Sequence, residues 1–358
     1  MKKIKITHIL MYVLFFIFTS NIKSQDIQFS QFYTANLYQN PAFAGSAHAH
    51  RFMIHSRMQW LGLNKYGNNG GKYFTYFASF DTYFKKQKSG LSFMLLRDEI
   101  GDKKINSTEF YAQYSYEVHL NKRFTFKPGL QLGIGQRTYD YQNLIFPREV
   151  SDDGINDQID NIVNGANKTF PDISSGMLFY DKKFWVGYSS HHINRPNIAS
   201  EGTSRTPVKH AITGGYKIIL SRKNTLNYRT TTAKEVSLTP TLHYKFQGKS
   251  DQFDLGLYGI YEFFLLGVWY RGIPFKEYKK ANLRNNESIV AQTGFKWERW
   301  NFSYSYDFVI SSLGGIRQSG GSHEINLTYI LKPISGKSVH PTKRLPCPDF
   351  ERRILNEE

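Results

Sequence analysis

The sequence predicts an all-β fold, a transmembrane antiparallel β-barrel of about fourteen strands with long extracellular loops and short periplasmic turns. Three observations carry that prediction. Apolar and polar residues alternate through 50–331, aromatics make up 16% of the chain beside 28 Gly, and the amino terminus reads as an export signal. After residue 24 no apolar run reaches the roughly 18–20 residues of a spanning helix, so any crossing of a bilayer falls to strands.

The export signal comes first in the chain. Residues 1–24 place Lys2, Lys3 and Lys5 before an apolar core from Ile9 to Phe18, and Ser24 is a small residue suited to the cut. Cleavage is expected near Ser24–Gln25. No Cys follows the cut, which excludes a lipoprotein anchor. The formal charge is +17, and +13 once these residues are removed. Such a charge suits nucleic acid, anionic lipid or an acidic partner. The export signal argues against nucleic acid, and solvated loops beside lipid phosphates account for the bases. Cys347 is the single cysteine, so neither an internal disulfide nor a cysteine-based metal site is available.

The strands follow from period two, because successive strand residues point to opposite faces. In 108–119, Phe110, Ala112, Tyr114, Tyr116 and Val118 oppose Glu109, Gln113, Ser115, Glu117 and His119. In 124–135, Phe124, Phe126, Leu130, Leu132 and Ile134 oppose Thr125, Lys127, Gln131 and two glycines. In 301–310, Phe302, Tyr304, Tyr306, Phe308 and Ile310 oppose Asn301, Ser303, Ser305 and Asp307. In 323–331, Ile325, Leu327, Tyr329 and Leu331 oppose Glu324, Asn326 and Thr328. The same reading places strands near 50–60, 72–84, 89–98, 106–119, 122–138, 170–180, 182–191, 208–219, 235–247, 251–261, 263–272, 287–298, 300–310 and 321–331.

Short connections (85–88, 120–121, near Asp181-Lys182, 248–250 and 299) alternate with long ones (139–169, 192–207 and 273–286). That asymmetry marks a bacterial outer-membrane barrel, and an even strand number returns both ends to the periplasm. An open sheet would leave unpaired edges in lipid, so the sheet is expected to close. Pro240 interrupts an otherwise good strand, and a bulge or a later strand start is expected there. Trp60, Tyr73, Phe84, Trp185, Trp269, Trp297 and Trp300 read as an interfacial aromatic girdle. Glu109, Glu117, Lys127, Arg137, Glu262 and Glu324 read as lining a polar lumen. A soluble β-sandwich or barrel would share the alternation but would not need that girdle.

Catalytic signals are weak. The sequence contains no HExxH, GxSxG, phosphate loop or CxxC, and no enzyme or cofactor is expected. Ser189 near His191-His192 suggests a nucleophile pair, but neighbouring strand residues point apart, which sends one His to lipid or the rim. Gly133-Ile134-Gly135 lies on a strand, where glycines relieve crowding rather than bind a dinucleotide. The acidic 139–169 loop offers oxygen ligands for Ca²⁺ but matches no EF-hand spacing.

The division expected is 1–24 signal peptide, 25–49 a periplasmic or plug segment, 50–331 barrel, and 332–358 a periplasmic tail. The two ends carry a resemblance. QFSQFYTANLYQNPAFAG (28–45), RMQW (57–60), SYSYDFVISSLGGIRQSGGSHEINLTY (303–329) and LPCPDF (345–350) resemble the PorP/SprF family of Bacteroidetes outer-membrane proteins, with Ile27 where the family pattern has Pro. The resemblance implies a non-enzymatic component of type IX secretion, in some members tied to gliding motility. It implies partners among outer-membrane lipid, periplasmic secretion machinery, and cargo bearing a C-terminal sorting domain. Candidate partner-binding residues are Gln28, Phe29, Ser30, Gln31, Asn40, Pro41, Arg57, Trp60, Pro346, Cys347, Pro348 and Phe350. The alternative function is a passive diffusion channel.

Overall fold

The computed structural model describes residues 26–61, 73–101, 105–139, 150–151, 154–155, 166–200, 202–227, 230–278, 283–311, 320–331 and 345–346. The expected signal peptide, most of the 139–169 loop, and Cys347, Pro348 and Phe350 lie outside these residues.

Fourteen antiparallel strands close into a barrel. They are β1 (Arg51–Gln59), β2 (Tyr73–Phe84), β3 (Ser89–Ile100), β4 (Ile105–Tyr116), β5 (Thr125–Tyr139), β6 (Ala166–Tyr180) and β7 (Phe184–His191). β8 runs over Lys209–Tyr216 and resumes over Ile218–Asn227. β9 (Thr230–Gln247), β10 (Ser250–Tyr261), β11 (Phe264–Tyr278), β12 (Leu283–Trp297), β13 (Trp300–Val309) and β14 (Ser322–Ile330) complete the set. Each strand pairs with its sequence neighbours, and β1 pairs with β14 from Arg51↔Ile330 to Gln59↔Ser322. Closure leaves no open edge, as lipid requires of a spanning sheet.

The alternation resolves into an inside-out arrangement. On β13, Asn301, Ser303, Ser305 and Asp307 are buried in the lumen, while Trp300, Tyr304 and Phe308 are exposed outward. On β14, Glu324, Asn326 and Thr328 point in and Ile325 points out. Apolar residues are therefore stable on the outer face only against lipid, and the polar interior must satisfy its own hydrogen bonds.

β1 begins at Arg51 and β14 ends at Ile330 on the periplasmic rim, together with the tight turns at 85–88, 181–183, 262–263 and 298–299. The connections 60–72, 140–165, 192–208 and 310–321 leave the opposite, extracellular mouth. The 248–249 turn is a correction to the loop pattern, since it is short yet lies at the extracellular mouth. The expected 273–286 loop is mostly strand, because β11 and β12 continue through it with two register shifts. Residues 220–234, outside the expected strands, form most of a hairpin between the resumed β8 and the start of β9.

Pro240 does not bulge. It pairs in unbroken register with Leu257 of β10. Its other edge faces the interruption in β8, between Gly215↔Thr241 and Ile218↔Leu238. The missing proline N–H is thus absorbed by a gap in the neighbouring strand. Two girdle assignments also change. Trp185 and Trp269 are buried in the lumen, whereas Trp60, Phe84, Trp297 and Trp300 are exposed outward. Glu262 sits in a periplasmic turn with φ 54° rather than in the lumen.

Candidate functional site

The lumen is occupied by the residues that precede β1. From Phe29 to Ala44 nearly every side chain is buried, and the segment carries one helical turn, Asn36–Gln39, followed by a 3-10 turn, Pro41–Phe43. It threads the barrel lengthwise. Asp26 lies at the extracellular mouth beside His192, and Gly45 lies at the periplasmic end beside Asp81. Pro41 suits the first position of the 3-10 turn, where no N–H is needed, and Asn40 caps that turn by accepting from the Ala42 N–H at 2.9 Å.

Charge fixes the segment at Ser30 and Gln31, against wall residues near the extracellular ends of β1, β13 and β14. Glu324 of β14 accepts from the Ser30 N–H at 2.6 Å, the Gln31 N–H at 3.0 Å and Arg57 Nη1 at 2.9 Å, and it also pairs with His55 Nε2. Asp307 of β13 accepts from Ser30 Oγ at 2.5 Å, Arg57 Nη2 at 3.0 Å and Arg271 Nη1 at 3.2 Å. Arg271 of β11 donates its Nε to Asp254 of β10 at 3.0 Å. The Gln31 amide donates to the Glu324 backbone carbonyl at 2.9 Å and accepts from Ser303 Oγ at 2.7 Å. Three carboxylates, Glu324, Asp307 and Asp254, thus face two guanidiniums and the His55 ring inside the barrel, and pairing of this kind is the condition under which buried charge is tolerated.

Aromatic packing flanks this lock. Phe29 meets His55 at 4.8 Å and Phe77 at 5.9 Å between ring centres. Phe32 meets Trp269 at 5.7 Å, and Tyr33 meets Trp185 at 5.7 Å. That contact explains why both tryptophans turn inward. Glycines on the wall make room for the backbone. A Cβ on Gly129 would stand 2.4 Å from the Ala42 nitrogen, one on Gly176 2.0 Å from Asn40 Oδ1, and one on Gly90 2.0 Å from the Ala44 carbonyl oxygen. Gly133 and Gly135 serve the wall itself, lying under the rings of Tyr111 and Phe170.

Two outer clusters hold the segment's ends. At the periplasmic end Arg51 pairs with Asp81 at 2.8 Å, while His48 and Lys127 face Glu117 at 3.3 and 3.4 Å. At the extracellular end Asp26 meets His192 at 2.8 Å and Lys209 at 2.8 Å, and the other nitrogen of His192 meets Asp172 at 2.9 Å. Burial opposes the charge on both Asp26 and His192. The attraction of His192 and Lys209 nevertheless holds the Asp26 carboxyl well below its usual range. Likewise Asp26 and Asp172 lift His192 to about 10. His192 does not turn to lipid, because its left-handed backbone, φ 57°, brings its ring back over the lumen. His191 points in as well and bonds the Gln39 carbonyl at 2.9 Å, as does Ser189 Oγ at 2.7 Å. Ser189 and His191 therefore share an acceptor and do not form a nucleophile pair.

Of the twelve candidate residues, Ser30, Gln31 and Arg57 meet in this lock. Gln28 bonds Glu287, Phe29 packs beside the lock, and Asn40 donates to the Met177 and Tyr188 carbonyls from beside Pro41. Trp60 stands apart, exposed at the extracellular end of β1 against Tyr73. Pro346 is buried, next to Leu345, which packs on the lumen core. Asp307, Arg271 and Gly129 were not singled out from the sequence. Their inward strand parity was the available signal. Among the described residues no cluster of three His, Cys, Asp or Glu could hold a metal ion.

Fold and lumen together define a class: an outer-membrane β-barrel filled by its own amino-terminal segment. The family model of the type IX secretion system membrane protein PorP/SprF matches residues 21–329, and the chain belongs to that family. No curated protein matches the sequence. Similar solved structures include the Acinetobacter baumannii outer-membrane protein Omp33, at 8% identity and TM-score 0.40, with 80% of this chain and 100% of that one covered. A Pseudomonas aeruginosa FadL homologue follows at 11% identity and TM-score 0.41, covering 83% and 94%. The KdgM porin stands at 12% identity and TM-score 0.33, covering 79% and 99%. Likeness this distant carries no functional argument. The expectation of a type IX secretion membrane component therefore stands on the family.

Proposed function

We infer that this protein is a plugged, non-enzymatic scaffold of the outer membrane that assists secretion or surface anchoring of cargo with C-terminal sorting domains. The observation that carries this reading is the lock in which Ser30 and Gln31 are bonded to Glu324 and Asp307 inside the lumen. A passive pore gains nothing from a buried, charge-neutralised stopper built from its own chain. Partner contact then falls to surfaces outside the lumen: the extracellular loops near Trp60 for cargo, and the tail beyond Pro346 for periplasmic machinery. Outward aromatics meet lipid, and the leader is removed near Ser24–Gln25.

Planar-bilayer recording of the purified protein tests the scaffold reading. Silence is expected, and stable large conductance steps would favour the diffusion channel instead. Removing residues 333–358 tests the tail. The barrel should still insert while cargo display is lost, and unchanged display would rule out a partner role for the tail.

A further inference from the structure

The extracellular mouth holds a vestibule bounded on one side by Asp26 and Tyr38 of the plug. Its charge does not follow that of the chain. The whole sequence is strongly basic, at +17. The vestibule instead sets the carboxylates Asp26, Asp98, Glu109 and Asp172 against the cations Arg137, His192 and Lys209. Two of those cations are committed, because His192 bridges Asp26 and Asp172 while Lys209 pairs with Asp26. Among the described residues Asp98 and Glu109 have no ion pair. Hydroxyls hold them instead, from Thr75 at 2.6 Å and Tyr111 at 2.9 Å, and Arg137 acts on Asp98 only through space.

A second observation points to a donor. Asp172 is 1% exposed; its Oδ1 takes His192, and its Oδ2 has no hydrogen-bond partner among the described residues. A buried carboxylate oxygen without a donor is costly, and a ligand that supplies N–H groups removes that cost. Tyr38, Tyr111 and Phe170 add aromatic walls. Carboxylates beside aromatic faces recognise guanidinium and ammonium groups through charge-assisted hydrogen bonds and cation–π attraction. Lys209 already adopts that mode inside the vestibule, 4.7 Å from the centre of the Tyr38 ring.

We propose that this vestibule binds an arginine or lysine side chain carried by a polypeptide segment at the outer mouth of the barrel. The inference stands apart from the secretion reading, since binding is measured on the purified barrel. The test is calorimetric titration in detergent with acetyl-Gly-Arg-Gly-amide and with its neutral citrulline counterpart. The arginine peptide should bind saturably and the citrulline peptide should not. Glu109→Gln and Asp98→Asn should each weaken binding roughly tenfold, the loss expected for one charge-assisted hydrogen bond. Both variants should keep the heat-modifiable gel mobility of the folded barrel. If one of them fails to fold, the other carries the test. Equal binding of the two peptides, no binding of either, or wild-type affinity in both folded variants would overturn the proposal. So would displacement of the arginine peptide by CaCl₂, which would make this a metal site. Binding of free L-arginine amide without the peptide would overturn the polypeptide source.

Discussion

The Ser30–Gln31 lock of the plug and its outer tip at Asp26 are held by different chemistry. At the lock, guanidiniums face carboxylates at residues almost wholly removed from solvent, with Arg271 and Glu324 at 0% exposure. Arginine stays charged at any ordinary pH, so Arg57 and Arg271 hold their carboxylates without proton exchange. At the outer end the latch runs through His192 and Asp26, with side chains 12% and 14% exposed. One fastening rests chiefly on fixed guanidinium charge and the other on a histidine and a carboxylate. The contrast teaches that a single segment can be pinned at Ser30 and Gln31 and releasable a few residues further out, at Asp26.

The largest effect should come from breaking the lock. Glu324→Ala removes the acceptor of two plug N–H groups and leaves Arg57 with one carboxylate fewer. A broken buried pair costs about 3–5 kcal/mol. The expected outcome is a lowered unfolding temperature by heat-modifiable mobility, together with channel activity absent from the wild type. Unchanged stability would mean that the lock is not the principal fastening.

Gly129→Leu attacks the plug from the wall nearer its periplasmic end. Its side chain would collide with the backbone at Ala42, at a cost of about 1–3 kcal/mol for overpacking. Fewer molecules should then hold the plug, read as increased protease cleavage between residues 30 and 45. Identical cleavage kinetics would show that the close approach at Ala42 is not obligatory.

The outer latch predicts a smaller, pH-dependent effect. His192 is raised to about 10, so its stabilisation is complete below its ordinary value near 6.5 and is lost as pH climbs through about 10. Asp26 is lowered, so its share is present above its ordinary value near 3.8 and is lost as pH falls through the depressed value. Hydrogen-exchange protection at residues 26–29, relative to the intrinsic exchange rate at each pH, should therefore be greatest between these limits and fall at both extremes, while that of residues 30–31 changes little. His192→Ala should remove the alkaline limb and cost about 1–3 kcal/mol locally. A flat pH profile in the wild type would remove the distinction between lock and tip.

Pro240→Ala is the smallest case. The neighbouring strand offers no partner at that position, so the regained N–H adds little, and the change should stay within about 0.5 kcal/mol.

Much of this was legible in the chain. Period two along 301–310 and 323–331 identified the two faces of β13 and β14, because a strand has only two. The barrel, its orientation and the family fingerprints followed from local pattern and from the ends. Alternation could not say which inward residues meet. Ser30 and Asp307 are 277 positions apart and touch only because the barrel closes around the plug. Trp185 and Trp269 misled for a related reason. Their aromatic character suits both a lipid interface and a packed lumen, and only the rings of Tyr33 and Phe32 decide between the two.

The sequence by itself determined the class of fold, since hydrogen-bond closure in lipid and a two-residue period leave few alternatives to a barrel. Tertiary structure alone decided that this barrel is filled. A segment of 25–49 without clear periodicity carries no record of its destination. Its place is set by glycines, carboxylates and guanidiniums contributed by distant strands, which become a binding surface only when all of them are brought into one lumen.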